Sequence, residues 1–163
     1  MHSALWVADY IAAIGGGELT PLHILKMTYM SHGYVWGISK HRLISDNVEA
    51  WKYGPVYPTV YEAFNTYGNN PVKSLHFCGT ILSKKNMVEK RIINLESVFD
   101  EKEKEVIYNV IKAYSDWTGG ELIALMHQKG TPWRRHYIKN YTGIVIPDED
   151  TKNYYTQLVN DRR

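Results

Sequence analysis

At 163 residues and 44% hydrophobic, the chain is long enough for one core and needs no second domain, and 22% charged residues is ordinary for a globular protein. A formal net charge of +2 is too mild to demand a nucleic-acid partner. No apolar stretch approaches the roughly 18 residues of a membrane span, no basic segment backed by an apolar run marks a leader, and one cysteine, Cys78, cannot close an internal disulfide; these point to the cytoplasm.

In chain order, the first helix runs from Ser3 to Ile14, with Val7, Ile11 and Ile14 at helical spacing, and stops at Gly15-Gly16-Gly17. That glycine run lacks the Lys and Ser/Thr of a phosphate loop and follows no strand, so it reads as a linker. Thr20 as N-cap and Pro21 at the first helical position open a second helix to about Ile38, striped by Leu22, Leu25, Tyr29 and Trp36. The two make an αα-hairpin. From Lys40 the helical period fails, and Arg42 to Val48 reads as extended.

The next ten residues are Glu49-Ala50-Trp51-Lys52-Tyr53-Gly54-Pro55-Val56-Tyr57-Pro58. Pro55 and Pro58 fix their own φ and push Gly54 and Tyr57 out of the α region, so the chain is expected to turn at Gly54-Pro55. Pro58 then suits the first turn of a helix whose stripe is Val60, Tyr61, Phe64 and Tyr67, closed by Gly68. The segment reads either as a corner packed by Trp51 and Tyr53 or as a binding surface. None of its residues is a nucleophile or a metal-ligand set.

Between Val72 and Leu95, Leu75, Phe77 and Ile81 alternate, and Val88, Ile92 and Ile93 follow the polar break Ser83-Lys84-Lys85-Asn86. This predicts a small antiparallel hairpin with the lysines at its tip. Asp100 and Glu103 form a capping box ahead of a helix to about Asp116, buried along Val106, Val110, Ile111 and Tyr114. Thr118 and Glu121 form a second box, opening a short helix with Leu122, Leu125 and Met126 inward, closed by Gly130. Lys139 to Gly143 reads as a linker. Pro147 opens a last helix in which Tyr154, Tyr155 and Leu158 pack back, leaving residues 161–163 as a tail. The expectation is a mainly helical α+β domain over residues 1–160, with about six helices and one small hairpin.

The residues offer little catalytic chemistry. Seven histidines invite a metal, yet no His-x3-His or His-Glu-x-x-His pair exists, and zinc would need scattered ligands; no metal or other cofactor is expected. Cys78 lies among Leu75, Phe77 and Ile81, as a small core residue would, and Ser31, His32 and Asp46 supply triad residue types without a nucleophile elbow. No catalytic residue is assigned. His127, at the end of a short helix, reads either as a cap on the terminal carbonyls, its charged form favoured by the helix dipole, or as a contact with the Pro132-Trp133 loop or a partner.

Lys129, Arg134, Arg135 and Lys139 interleave with Trp133 and Tyr137, a pattern that reads as a solvated face, a protein-binding patch, or phosphate contacts with base stacking. Thirteen tyrosines and five tryptophans add weight to a surface meant to be covered. Trp51, between the extended segment and the turn, is expected to be buried. Trp133 is expected in a loop and partly exposed, with Arg134 and Arg135 beside it.

The segment Glu49 to Val56, with Tyr61, then His127 before Pro132-Trp133, then Ile146-Pro147 and Tyr154-Tyr155, resembles the Panacea domain family, the SocA-like domains of bacterial and phage proteins. The resemblance extends from Thr20-Pro21-Leu22 to Tyr155, with Glu49, Trp51, Gly54, Pro55, Tyr61, His127 and Pro132 as its structural signature. It implies an antitoxin that neutralises a cognate toxin protein by direct binding, with delivery of the toxin to a cytoplasmic protease as a variant. Partner contacts are expected at Trp133, Arg134, Arg135, Tyr53 and Tyr57. The rival readings are a phage or mobile-element DNA-binding regulator, which would show a recognition helix rich in exposed basic and amide side chains, and a small enzyme, which would show a convergent acid, base or nucleophile set.

Overall fold

Helix α1 (Ala4–Ile14) starts where the Ser3 hydroxyl accepts the N–H of Trp6 at 3.3 Å. Helix α2 (Pro21–Ser39) starts in the same way, with Thr20 Oγ1 accepting from the His23 N–H and Pro21 placed where its missing donor costs nothing. The computed structural model describes residues 1–73, 75–77, 80–82 and 96–162, the backbone alone at 75–77 and 80–82. Cys78, the Ser83–Asn86 break and Val88, Ile92 and Ile93 lie outside the described residues.

Helix α2 is the central element. Thirteen of its nineteen residues are buried, because α1, α4 (Glu101–Tyr114) and α7 (Asp148–Asp161) pack against it from different sides. Its approach to α7 is close enough to require glycine. A Cβ on Gly33 would run into the Tyr155 ring, and one on Gly37 would stand 2.7 Å from the Tyr155 carbonyl oxygen. The core around this crossing joins Val7 and Ile11, Ile24, Met27 and Val35, and Val106, Ile107 and Val110. Tyr29 reaches across it to place its hydroxyl 3.1 Å from Thr151 Oγ1.

After α2 the chain runs alongside the N-terminus, where His2 N donates to Leu43 O at 2.7 Å and Ser45 N to His2 O at 2.9 Å. This is an isolated bridge between His2 and Ile44, with Leu43, Ile44 and Val48 buried. Strands β1 (Glu49–Trp51) and β2 (Gly54–Val56) then form an antiparallel hairpin, Glu49 opposite Val56 and Trp51 opposite Gly54. The reversal is therefore at Lys52-Tyr53, and Gly54-Pro55, read from sequence as the turn, is strand. Proline is tolerated there because β2 is an edge strand. The other edge of β1 is taken by residues 144–146: Ala50 N donates to Ile144 O at 2.8 Å and Ile146 N to Val48 O at 2.9 Å. Gly54 has φ of +111°, and a Cβ on it would stand 2.9 Å from Lys26 Nζ.

Helix α3 (Pro58–Phe64) opens at its proline and buries Val60 and Phe64 of the expected stripe, whereas Tyr61 is exposed and Tyr67 only partly buried; a 3-10 turn, Asn65–Tyr67, carries it to Gly68. The one hairpin expected, between Val72 and Leu95, is present as β3 (Leu75–Phe77) antiparallel to β4 (Thr80–Leu82), and β1–β2 is a hairpin the sequence did not announce. Both strands precede the Ser83–Asn86 break, so their reversal is not at the lysines.

Both capping boxes form. Asp100 Oδ1 accepts from Glu103 N at 2.8 Å while Glu103 Oε2 accepts from Asp100 N at 3.0 Å, opening α4. Thr118 and Glu121 do the same for α5 (Gly119–Met126), at 3.2 and 2.7 Å. Among the described residues α6 (Pro132–His136) brings the α-helices to seven, one more than the sequence suggests, because five residues are too few to show a period. The protein is mainly helical α+β. No helix among the described residues is long and apolar enough to cross a membrane.

Candidate partner-binding face

The geometry of α6 follows from Thr131. Its Oγ1 accepts from Arg134 N at 3.3 Å and donates to Met126 O at 2.8 Å, tying the start of α6 to the end of α5. Trp133 is thereby turned inward. It is 3% exposed, its Nε1–H donates to Trp51 O at 2.7 Å, and its indole is stacked on His127 at 3.6 Å and on Tyr137 at 4.7 Å. The expected half-exposed loop tryptophan is thus a buried one on a helix. Arg134 and Arg135 remain exposed, Arg135 with a long contact of 3.8 Å to Asp150.

His127 takes the second of its two expected roles, the contact with the Pro132-Trp133 segment. The C-cap is made by its backbone N–H, which donates to Ile123 O at 3.0 Å, while its ring lies within 4° of parallel to the indole. Burial first, then Lys26 and Arg134, hold its pKa below the usual histidine value, which favours the neutral ring. Its Nε2 is buried and has no hydrogen-bond partner among the described residues. The ring thus stacks on Trp133 instead of bonding the terminal carbonyls, and the backbone alone caps the helix.

Beneath the hairpin lies a lysine that sequence reasoning missed. Lys26 is fully buried on α2 with Nζ 3.1 Å from Pro55 O, and burial lowers its pKa from 10.5 to about 7. The signal was weak: a lysine in the middle of an apolar helical stretch, without a nearby carboxylate at helical spacing. The signature Gly54-Pro55 therefore serves to admit this amine, Gly54 by lacking a side chain and Pro55 by offering a carbonyl.

The outer side of the hairpin carries the exposed residues. Tyr53 at the tip is 56% exposed, with the Lys52 ammonium 5.0 Å from its ring centroid. Trp51 is only partly buried: its Nε1–H donates to Glu49 Oε2 at 2.7 Å and its ring meets Tyr61 edge-on at 5.0 Å. Tyr61 is itself exposed, as are Val145, paired opposite Glu49, and Ile138 and Tyr141 on the connection from α6 back to the hairpin. Tyr53, Tyr61 and Val145 thus surround the hairpin, and Arg134 and Arg135 follow the tryptophan bonded to it.

Tyr57 does not join this face. It is fully buried, its hydroxyl has no partner among the described residues, and burial raises its pKa well above the ordinary value. It and Trp133 offer no surface to a partner in this conformation. Base stacking on the Lys129–Lys139 segment is disfavoured for the same reason, since Trp133 is already stacked against His127 and Tyr137.

Of the triad residue types, His32 and Asp46 are engaged elsewhere. His32 Nδ1 accepts from Ile44 N at 3.1 Å, its pKa lowered to about 3 by burial and then by Arg42, and Asp46 accepts from Ala4 N at 2.9 Å. Ser31 Oγ is buried without a partner among the described residues. For metal chemistry, His41, Asp100 and Glu103 each bring a ligand atom, all within 4.8 Å of one another. Sequence spacing hid this group, because His41 comes from a different part of the chain.

Comparison with known proteins places these features in context. The family described as Antitoxin SocA-like, Panacea domain, matches residues 24–134. The match takes in the hairpin, both capping boxes and the first residues of α6, and stops short of Tyr154-Tyr155. Antitoxin SocA of Caulobacter vibrioides (strain NA1000 / CB15N) is 27% identical over 115 residues, covering 71% of this chain and 58% of that protein. The chain thus aligns with little more than half the length of its curated relative. No solved structure matches significantly.

Proposed function

The chain belongs to the Antitoxin SocA-like, Panacea domain family, and on that premise we propose that it is the antitoxin of a toxin–antitoxin pair, neutralising a cognate toxin protein by direct binding. Membership suggests an antitoxin role and a non-enzymatic one. The observation that carries the finer reading is the exposed group of aromatic and basic residues on a rigid frame: Tyr53 and Tyr61 at the hairpin, Arg134 and Arg135 on α6. Tyrosine and arginine are frequent hot spots, and a face held by the Trp133–Trp51 bond loses little freedom on binding. Occlusion of the toxin's active site, or capture of an inactive conformation, follows from such a contact.

The test is co-expression with the toxic reading frame beside its gene. Growth is expected to return and a stable complex to co-purify, whereas Tyr53→Ala with Arg134→Ala and Arg135→Ala is expected to melt within a few degrees of wild type and protect poorly. Growth restored with no complex at any salt concentration refutes direct binding. A triple variant that protects fully moves the interface elsewhere. Delivery to a cytoplasmic protease is a variant of the same reading, marked by toxin loss that stops when the protease is removed.

A further inference from the structure

A second cluster lies apart from the partner face. His2 ahead of α1, His41 just after α2, and Asp100 and Glu103 at the start of α4 converge on one corner. Glu103 is only 3% exposed, and each of its oxygens meets an imidazole: Oε2 is 3.0 Å from His2 Nε2 and Oε1 is 3.1 Å from His41 Nε2. The His2 ring is held by Phe99, edge-on at 4.6 Å. Asp100 uses Oδ1 to cap the helix and is otherwise exposed.

The second capping box of this protein shows what is unusual here. Glu121 occupies the same position relative to Thr118 as Glu103 does to Asp100, and makes the same backbone bond. It is exposed and bonds only to Thr118 among the described contacts. Helix capping therefore explains neither the burial of Glu103 nor the two imidazoles aimed at it. An ionised carboxylate is costly to bury unless a cation compensates it.

We propose that His41, Glu103 and Asp100 form a binding site for a divalent transition-metal ion, Zn²⁺ first, with His2, which lies on the other Glu103 oxygen and outside that three-residue group, moving in as a fourth ligand. Zinc takes imidazole nitrogen and carboxylate oxygen at about 2.0–2.2 Å, and two ligand atoms of a tetrahedral ion so bound stand about 3.3 Å apart. The His–Glu separations are close to that value already, and the three-residue group fits within 4.8 Å. The mixed nitrogen–oxygen set disfavours magnesium and calcium, which prefer oxygen alone. On binding, each imidazole exchanges its Nε2 contact with Glu103 for a bond to the metal, and the Nε2 proton leaves to solvent from a doubly protonated ring or is replaced by one on Nδ1 in a neutral ring. The ion would clasp the N-terminal segment, the loop after α2 and the start of α4.

The experiment uses untagged full-length chain stripped with chelator, titrated with ZnCl₂ and separately with CoCl₂. One ion per chain is expected, together with a melting temperature that rises with free zinc and returns on chelation, and visible cobalt bands of tetrahedral intensity. His41→Ala is expected to weaken uptake at least about tenfold, as loss of even a supporting group does, while folding normally because that side chain is partly exposed. His136→Ala, which removes an imidazole paired to Asp150 on another side, is expected to bind as wild type. Substoichiometric uptake with no thermal shift overturns the proposal. So does unchanged uptake in His41→Ala, which would assign the ion to His2 alone, or loss in His136→Ala, which would assign it to the α6–α7 surface.

Discussion

The hairpin β1–β2 and the short helix α6 meet at one hydrogen bond, from Trp133 Nε1 to the Trp51 carbonyl, and each contributes one tryptophan to the joint. The two indoles do opposite work. Trp133 is buried and stacked on His127 and Tyr137, while Trp51 lies at the surface against Tyr61. The cause is backbone geometry. Side chains on a strand alternate, and Ala50 points into the core, so its neighbours Glu49 and Trp51 share the outer side and bond to each other. A helix capped by Thr131 instead directs Trp133 to one face and its neighbours Arg134 and Arg135 to the other. The anchoring residue is thus on α6, and the hairpin displays.

That division can be broken by substitution, beginning with the largest effect. Trp133→Ala removes a buried indole and the hydrogen bond it donates to the Trp51 carbonyl; we expect a loss of about 3–5 kcal/mol, measured by urea or thermal unfolding. For a domain of ordinary stability this approaches complete unfolding. An effect below that of Trp51→Ala would reverse the roles assigned to the two rings.

Next comes the amine under the hairpin. With the Lys26 pKa lowered from 10.5 to about 7, the unfolded chain binds a proton between those values that the folded chain does not. Stability should therefore rise with pH above 7 and reach its low plateau below 7. Between pH 7 and 9, before the tyrosines of the unfolded chain titrate, the gain is about 2 kcal/mol, at most about 1.4 kcal/mol per unit. Lys26→Met should flatten this slope, as seen in urea unfolding at several pH values. An unchanged slope would show that Lys26 finds compensation that its bond to Pro55 does not supply.

The smallest effect is expected at Trp51. Trp51→Ala gives up a partly exposed ring, its bond to Glu49 and its contact with Tyr61, for about 1–2 kcal/mol. It leaves the Trp133 bond intact, because that bond uses the Trp51 backbone. Melting curves of the two alanine variants, run side by side, decide whether hairpin and helix differ as argued.

Several features of this protein were legible without coordinates because their causes are local. A hydroxyl or carboxylate three residues ahead of an N–H caps a helix whatever surrounds it, so Ser3, Thr20, Asp100 and Thr118 mark helix starts in sequence and in space alike. Proline at Pro21 and Pro58 acts equally locally. The signature itself marked the family that the comparison shows.

Other outcomes depended on partners far along the chain. Whether Gly54-Pro55 made a turn or a strand was settled by Ala50 opposite Pro55 and by Lys26 beneath. Trp133 could be placed inward only because a carbonyl from Trp51 and rings from His127 and Tyr137 were there to receive it. His2, His41 and Glu103 share no periodicity, and only the packing of α1, α2 and α4 brings them to one point. The sequence by itself determined where all the described helices but α6 begin and to which family they belong, since capping and motif are properties of short segments; tertiary structure decided which side chains are buried and which are left for a partner, since burial is a property of what packs on the other side.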